Sequence, residues 1–386
     1  MLLTFGSLVI VLIFLFIESY LVKRHVRKIQ LRIHINGTRG KSSVTEYIAA
    51  GLRTREKVLC KVTGIKPTIT YPDGHNEIIN RRGRARVKEQ FMMINLASKL
   101  SVDALVLECM SILPELQKLE SRIFSPEYYI ITNIRDDHRE EMGSTLEEQA
   151  EAICSAIPIN TTVLTSEDKF LPLIKKHAEK RKSSVVFVNK LDDRFIESVP
   201  DGIFPLNIAL ALEACRLAGL DMDLSFTNII KEINKKPDPL IVLKSKEKEI
   251  WFVDGFAVND VPSAEDFIKY WQNKNSNFQE LIFIFNTRND RPVRSVQFSG
   301  WIGTVKNLSK VVLTGTHIPR AQREIIKAGF DKNKIYIWNN GKIKKAFESL
   351  QSITQNNALV FGLGNIAGDG FTILESLYAS VKKYGN

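Results

Sequence analysis

The run Asn36-Gly37-Thr38-Arg39-Gly40-Lys41-Ser42-Ser43 is the segment of this chain best equipped for chemistry. It follows an apolar stretch, Leu31–Ile35, that reads as a strand, and it opens a stretch that reads as a helix. Gly37 and Gly40 let the backbone bend until several amide N–H groups face one centre. The start of a helix adds its partial positive charge at the same place. Such a loop holds phosphate, and Thr38, Arg39 and Ser43 are assigned to it as nucleotide-binding positions. Lys41 is placed to reach the outer phosphates of ATP, and Ser42 to offer its hydroxyl to Mg2+. The strict pattern G-x-x-x-x-G-K-[ST] would need glycine at position 35, where the chain carries Ile35, so the loop is a shorter form, G-T-x-G-K-[ST].

Two more residues could share a metal with Ser42. Glu108 ends the apolar run Ala104–Leu107, and His138 follows Tyr128–Ile134 within Arg135-Asp136-Asp137-His138. In open α/β sheets, ligands gather at the carboxyl ends of strands. Ser42, Glu108 and His138 all lie at such ends and are expected to converge on one Mg2+.

The elements that must hold these groups read as alternating strands and helices. Strands are expected at Leu31–Ile35, Ala104–Glu108, Tyr128–Ile134, Thr162–Thr165 and Val185–Val188. Helices are expected near Ser42–Arg53, Val87–Leu100 and Leu146–Ile157. That alternation implies a mostly parallel sheet with helices on both faces. A helical run, Asn207–Ala218, follows Pro205, and Lys235-Lys236-Pro237-Asp238-Pro239 reads as a linker. Strands resume at Ile250–Val253, Leu281–Phe285, Val311–Thr314, Ile335–Trp338 and Ala358–Phe361, again with helices between. The fold expected is α/β in two domains, 23–238 and 239–386, the second smaller and Rossmann-like. A length of 386 residues, 44% of them hydrophobic, allows two cores of that size.

Ahead of both, Leu2–Val22 is almost wholly apolar, interrupted by Glu18. About 20 helical residues cross a bilayer core, so residues 1–22 are expected to be a transmembrane helix. Lys23, Arg24, Arg27, Lys28 and Arg32 follow it, which by the positive-inside rule sets the N-terminus outside and the body in the cytoplasm, at the cell membrane. No basic region precedes the run and no A-x-A site follows, as a cleaved signal would require. The four cysteines, Cys60, Cys109, Cys154 and Cys215, lack metal-type spacing and are expected as buried, reduced thiols. A net charge of +11 suits a solvated basic surface or an anionic partner. The stretch Arg81-Arg82-Gly83-Arg84-Ala85-Arg86-Val87-Lys88 suits a polyanion. It has no interleaved aromatic for base stacking, so nucleic acid is not expected.

Taken in order, these motifs resemble those of the Mur ligases. That family carries the short G-T-x-G-K-[ST] loop, a glutamate after a following strand, and T-N-[IV]-x-x-D-H after the next. Within it, the chain is most similar to the CapB-type ligase subunit of poly-γ-glutamate synthases. The likeness rests on N-G-T-R-G-K-S at 36–42, E-C-M at 108–110, D-H-x-x-x-M-G-x-T-L-E from Asp137 and P-D-P at 237–239. It continues through D-G-F-A-V-N-D at 254–260, N-T-R-N-D-R at 286–291 and F-G-L-G-N-I at 361–366. The resemblance implies ATP and Mg2+ as cofactors, with Asn259, Arg288 and Arg291 of the second domain meeting the nucleotide. It implies an acyl phosphate made from a γ-carboxylate and captured by the amine of glutamate, so that glutamate and a growing poly-γ-glutamate chain are the partners. Small membrane subunits for export, and a homo-oligomer, belong to the same expectation. Mur ligases also use a carbamylated lysine after the histidine. No lysine stands there in this chain, and Glu151 is the carboxylate expected to replace it.

Cell-wall Mur ligases place a UDP-sugar domain before the loop; here Gly37 follows the apolar run closely, so such a domain, and a UDP-sugar substrate, are not expected. Two rivals remain. A folylpolyglutamate synthetase-like ligase would have no use for a membrane tether. A membrane-bound P-loop transport ATPase usually has aspartate where Glu108 stands, and has no use for the 254–260 motif.

Overall fold

A computed structural model gives the fold. It describes the backbone of residues 2–64, 67–81, 86–245, 248–258, 260–289 and 292–384, with side chains for these except 2–11, 15 and 382–384. The chain divides into two compact units between Lys236 and Pro237, inside the expected linker.

Eight strands form the sheet of the first unit. They are β1 (Leu31–Asn36), β2 (Val58–Val62), β3 (Thr68–Thr70), β4 (Asn76–Ile78), β5 (Ala104–Glu108), β6 (Tyr128–Ile131), β7 (Thr162–Thr165) and β8 (Ser184–Phe187). Their order across the sheet is β4-β3-β2-β5-β1-β6-β7-β8. The six strands from β2 to β8 in that order run parallel, and β3 and β4 form an antiparallel extension at the edge. β5 reads Ala-Leu-Val-Leu-Glu with every residue buried, as a strand covered on both faces should.

The helices that matter for the site are α1 (Leu2–Val26), α2 (Lys41–Leu52), α3 (Lys88–Leu100), α4 (Pro114–Phe124), α5 (Arg139–Met142) and α6 (Leu146–Ser155). On one face of the sheet α2 packs with helices Pro205–Leu217 and Met222–Ile233, joining Ile33, Ile35, Val44, Ile48, Ile208 and Ile229 in one core. On the other face, α3, α4 and the last turn of α1 cover Leu59, Leu105 and Leu107 with Val26, Met93 and Phe124. Burying such side chains stabilises by about 1.5–3 kcal/mol each.

The expected span 1–22 lies partly outside the residues with described side chains. Among the described residues no helix is long and apolar enough to cross a membrane. Along α1, Leu12, Ile13, Phe14, Phe16, Ile17, Tyr20 and Leu21 are exposed.

The second unit has six strands: β9 (Leu240–Lys244), β10 (Glu249–Asp254), β11 (Glu280–Thr287), β12 (Lys310–Gly315), β13 (Ile335–Ile337) and β14 (Ala358–Leu363). Their order is β13-β12-β11-β14-β10-β9, parallel except for β9 at the edge. Aromatic packing fills one face, where Phe267, Trp271, Phe283, Phe298 and Phe361 meet.

The expected strands are present, β5 and β7 with the expected ends and the others shifted; β6 stops at Ile131 rather than Ile134. Beyond it, Thr132 and Asn133 turn their polar groups onto the phosphate loop instead of continuing the ladder. β2, β3, β4 and β9 were not among the expected strands. All four cysteines are buried and free.

Candidate phosphate and metal site

β1 lies between β5 and β6, with Ile35 opposite Glu108 and Asn36 opposite Ile131. Three strand ends therefore deliver the phosphate loop, Glu108 and the Thr132–His138 segment to one edge. Gly37 has φ +120°, and a Cβ there would stand 2.3 Å from Thr132 Oγ1 and 3.0 Å from Asn133 O. Only glycine fits so close an approach. Gly40, with φ +76°, turns the chain directly into α2, against the side chain of Asn207.

The loop is pinned from both sides. Asn36 Oδ1 accepts from Gly37 N (2.8 Å), while its amide donates to Gln117 and Tyr129. Asn133 accepts from Arg39 N (3.0 Å) and donates to Arg39 O (3.1 Å), and Thr132 Oγ1 donates to Arg39 O (2.7 Å). Thr38 N donates to Asn133 O (2.9 Å). The helix behind the loop has no side-chain cap, so its first-turn amides, around Lys41, Ser42 and Ser43, can turn to an anion. The Lys41 ammonium folds back on the loop, donating to Gly37 O (2.7 Å).

Ser42 Oγ donates to Glu108 Oε2 (2.9 Å), which also accepts from Thr63 N (2.7 Å). Glu108 is 4% exposed. A hydroxyl beside a buried carboxylate is the hard-oxygen set that Mg2+ takes, so these residues fit that ion. His138 heads α5 with φ +53°, its ring 3.5 Å from Asp137 and 3.8 Å from Glu141. Asp137 in turn pairs with Arg39 (2.7 Å) and joins the histidine segment to the phosphate loop.

Glu151 is not brought to this site. It is more than half exposed and pairs with His177 (3.0 Å). Gln149, two positions earlier and on the opposite side of α6, is the residue facing the segment. It is fully buried, accepts from Asp137 N (3.0 Å) and donates to Asp136 (3.1 Å) and Gly143 O (3.1 Å). The expectation of a replacement carboxylate at Glu151 is corrected on that ground.

Sequence reading also missed Thr63, Gln90, Glu120, Gln149 and Glu167. Glu167 is buried and accepts from Ile134 N (2.8 Å), fixing the start of the histidine segment. None sits in a glycine-rich pattern, and only the hydrogen bonds single them out. Among the described residues, one set of three His, Cys or carboxylate ligand atoms lies within 4.8 Å of each other: His34, Cys109 and Glu120, buried behind β1.

In the second unit, Asp254, Thr287, Gly315 and Leu363 end parallel strands at one edge. Arg288 follows β11 there. Asn286 donates to Ala367 O (3.0 Å) and to Asn365 O (2.5 Å), holding the Gly364 turn. Burial pushes the Asp254 carboxyl up to about 6, partly opposed by its hydrogen bond from Phe256 N. Asn259 and Arg291 lie outside the described residues.

The pattern of the Mur ligase middle domain matches residues 35–200, and that of the poly-gamma-glutamate synthase CapB C-terminal domain matches 241–380. The capsule biosynthesis protein CapB of Bacillus anthracis is 29% identical over 374 residues, covering 92% of this chain and 78% of its own. The PGA synthase CapB of Bacillus subtilis (strain 168) is 26% identical over 383 residues, covering 96% and 95%. Among solved structures, Mycobacterium tuberculosis folylpolyglutamate synthase complexed with ADP superposes with a TM-score of 0.67 at 14% identity, covering 93% of each chain. The ADP complex of E. coli FolC gives 0.63 at 13%, covering 96% and 94%. At such identities these two structures speak for the fold alone.

Proposed function

This chain belongs to the Mur-ligase superfamily, in its poly-γ-glutamate synthase branch, and from that premise we propose that it is an ATP-dependent amide ligase joining glutamate through the γ-carboxylate. The observation that carries the reading is the pinned phosphate loop with Ser42 and Glu108 hydrogen-bonded at its mouth, in a chain whose second unit matches the CapB C-terminal domain.

The loop amides and Lys41 take the phosphates of ATP. On binding, Lys41 leaves Gly37 O for a phosphate oxygen, a shift its flexible stem allows. Ser42 and Glu108 would hold Mg2+, whose charge would offset that of the phosphates. A carboxylate oxygen of the acceptor attacks the γ-phosphorus, the bond to ADP breaks, and an acyl phosphate forms. The glutamate amine then attacks the acyl carbon, loses a proton, and expels phosphate to leave the amide. The chain's own task is positioning and electrostatic stabilisation, the main protein contributions to phosphoryl transfer.

Residues 1–22 serve as a single-pass anchor in this reading, with the N-terminus outside and the body cytoplasmic. The exposed apolar side chains of α1 and the basic residues Lys23, Arg24, Arg27 and Lys28 support it. A polyanion cannot cross hydrocarbon unaided, so small membrane subunits would receive the product. Deleting residues 1–22 should shift the protein from the membrane to the soluble fraction with ADP binding intact. A truncated protein that still pellets with membranes refutes the anchor.

The activity is tested by ADP release from ATP with each amino acid added in turn. Glutamate should be required and γ-linked oligomers should appear. ATP turnover indifferent to amino acids, or glutamate added only to a pteroate acceptor, refutes the reading.

A further inference from the structure

Beneath Glu108 runs a chain of buried polar side chains that no motif of the sequence accounts for. Its centre is Gln90 on α3, 3% exposed. The Gln90 amide donates to the main-chain carbonyl of Glu108 (3.0 Å) and to Glu120 Oε2 (3.0 Å), and its Oε1 accepts from Lys61 Nζ (3.3 Å). Glu120, on α4, also accepts from Met110 N (3.2 Å) and the Ser111 hydroxyl. Lys61, fully buried on β2, pairs with Glu89 (3.2 Å), and Glu89 takes Arg81 through both oxygens (2.8 Å each).

These bonds converge on one short turn. Glu108 O, Met110 N and Ser111 Oγ are each fixed by Gln90 or Glu120, and Cys109 N donates to Ile35 O (2.8 Å) on the strand that carries the phosphate loop. The turn's first residue presents the carboxylate that holds Ser42 and Thr63 N. The neighbouring His34, Cys109 and Glu120 have ligand-type atoms, but both Glu120 oxygens already accept from Gln90, Met110 and Ser111. The cluster therefore belongs to this network. Buried ionic groups are a costly way to fill a core, and apolar side chains of the same volume would pack there at least as well. What the polar set adds is direction: a carboxylate whose backbone is fixed from below has few ways to turn at its tip.

We propose that Gln90, seated between Glu120 and Lys61, is a positioning residue that aims the Glu108 carboxylate at the divalent cation. It rests on the reading of Glu108 as a metal ligand. In metal sites, residues that orient a ligand commonly matter almost as much as the ligand.

The test uses the full-length protein and Mn2+, with binding in the presence of ADP followed by electron paramagnetic resonance. Gln90→Met keeps the volume and removes the amide. It should weaken Mn2+ binding by roughly 10- to 100-fold, while ADP affinity measured without metal stays at the wild-type value. Glu108→Gln should weaken Mn2+ at least as much, and adding Gln90→Met to it should cause no further loss, since the two act through one group. Should Gln90→Met not fold, as judged by circular dichroism, Glu120→Gln replaces it and should shift Mn2+ binding in the same direction. Wild-type Mn2+ affinity in Gln90→Met beside a weakened Glu108→Gln overturns the proposal and leaves the metal reading standing. A further loss in the double variant also overturns it. If Glu108→Gln itself binds Mn2+ normally, the metal reading falls and the proposal with it.

Discussion

Gly37→Ala tests whether the phosphate loop is as tightly built as its contacts imply. Two costs add. A non-glycine residue at φ +120° is strained by about 1–3 kcal/mol. The new Cβ would also stand 2.3 Å from Thr132 Oγ1, and Thr132 can escape only by giving up its bond to Arg39 O, worth about 1 kcal/mol. The 3.0 Å approaches to Thr132 N and Asn133 O are to backbone and cannot be relieved by a rotamer. The sum is about 2–4 kcal/mol. If the strain stays in the loop, it lowers stability by that amount. If the loop relaxes away from its bound shape, the same energy must be supplied when nucleotide binds. ADP affinity then falls by about 30- to 700-fold, at 1.4 kcal/mol per tenfold. Thermal melting and ADP titration calorimetry together capture both routes. Thr132→Ala placed in the Gly37→Ala protein removes the worst clash but not the backbone ones. Relative to Thr132→Ala alone, the damage from Gly37→Ala should shrink by about 1 kcal/mol. A Gly37→Ala protein with wild-type melting and wild-type ADP affinity would refute the reasoning.

Lys41→Met should lower ATP turnover by about 10²–10³-fold with little change in melting, because its ammonium only folds onto the loop surface; near-normal turnover in the folded variant would remove Lys41 from the site. Asp254→Asn should stabilise the protein at neutral pH. The native carboxyl, pushed up to about 6 from 3.8, binds its proton more tightly than the unfolded chain does. Its contribution is therefore fully present below pH 3.8 and lost as pH rises through 6, by about 3 kcal/mol. The variant should melt higher than the wild type at pH 8 and equally at pH 4, and an equal gap at both would show that the carboxyl is not responsible. Glu151→Ala should leave ADP and Mn2+ binding unchanged, since it is more than half exposed and its partner is His177; a large loss of Mn2+ binding would restore it to the site.

Much of this was legible in the sequence, for identifiable reasons. The phosphate loop declares itself because glycines, a strand and a helix start must occur in fixed order, and Glu108 because a charge closes an apolar run. β2 was hidden by Lys61, which breaks the apolar pattern of Val58–Val62 yet is fully buried through Glu89 and Gln90. Glu151 is expected at the site but Gln149 faces the histidine segment, and the difference is one of rotation about the helix. Both lie on α6, and the side of a helix that meets a loop is set by tertiary packing that a short acidic helix does not reveal. The Gln90 network was invisible for a related reason, because its members come from β2, α3 and α4 and meet only after folding.

The place of β1 has a consequence for how the chain is made. β1 is the first strand to leave the ribosome, yet it ends between β5 and β6, which are synthesised about 70 and 90 residues later. The core over α2 closes later still, because Ile229 and Ile233 share a cluster with Val44 and Ile48. The nascent phosphate loop must therefore wait for nearly the whole first unit before it has walls. Chains stalled short of residue 233 expose the apolar face of α2 and are natural clients for chaperones and proteases, whereas the second unit, with its own cores, starts folding only after the first has been synthesised.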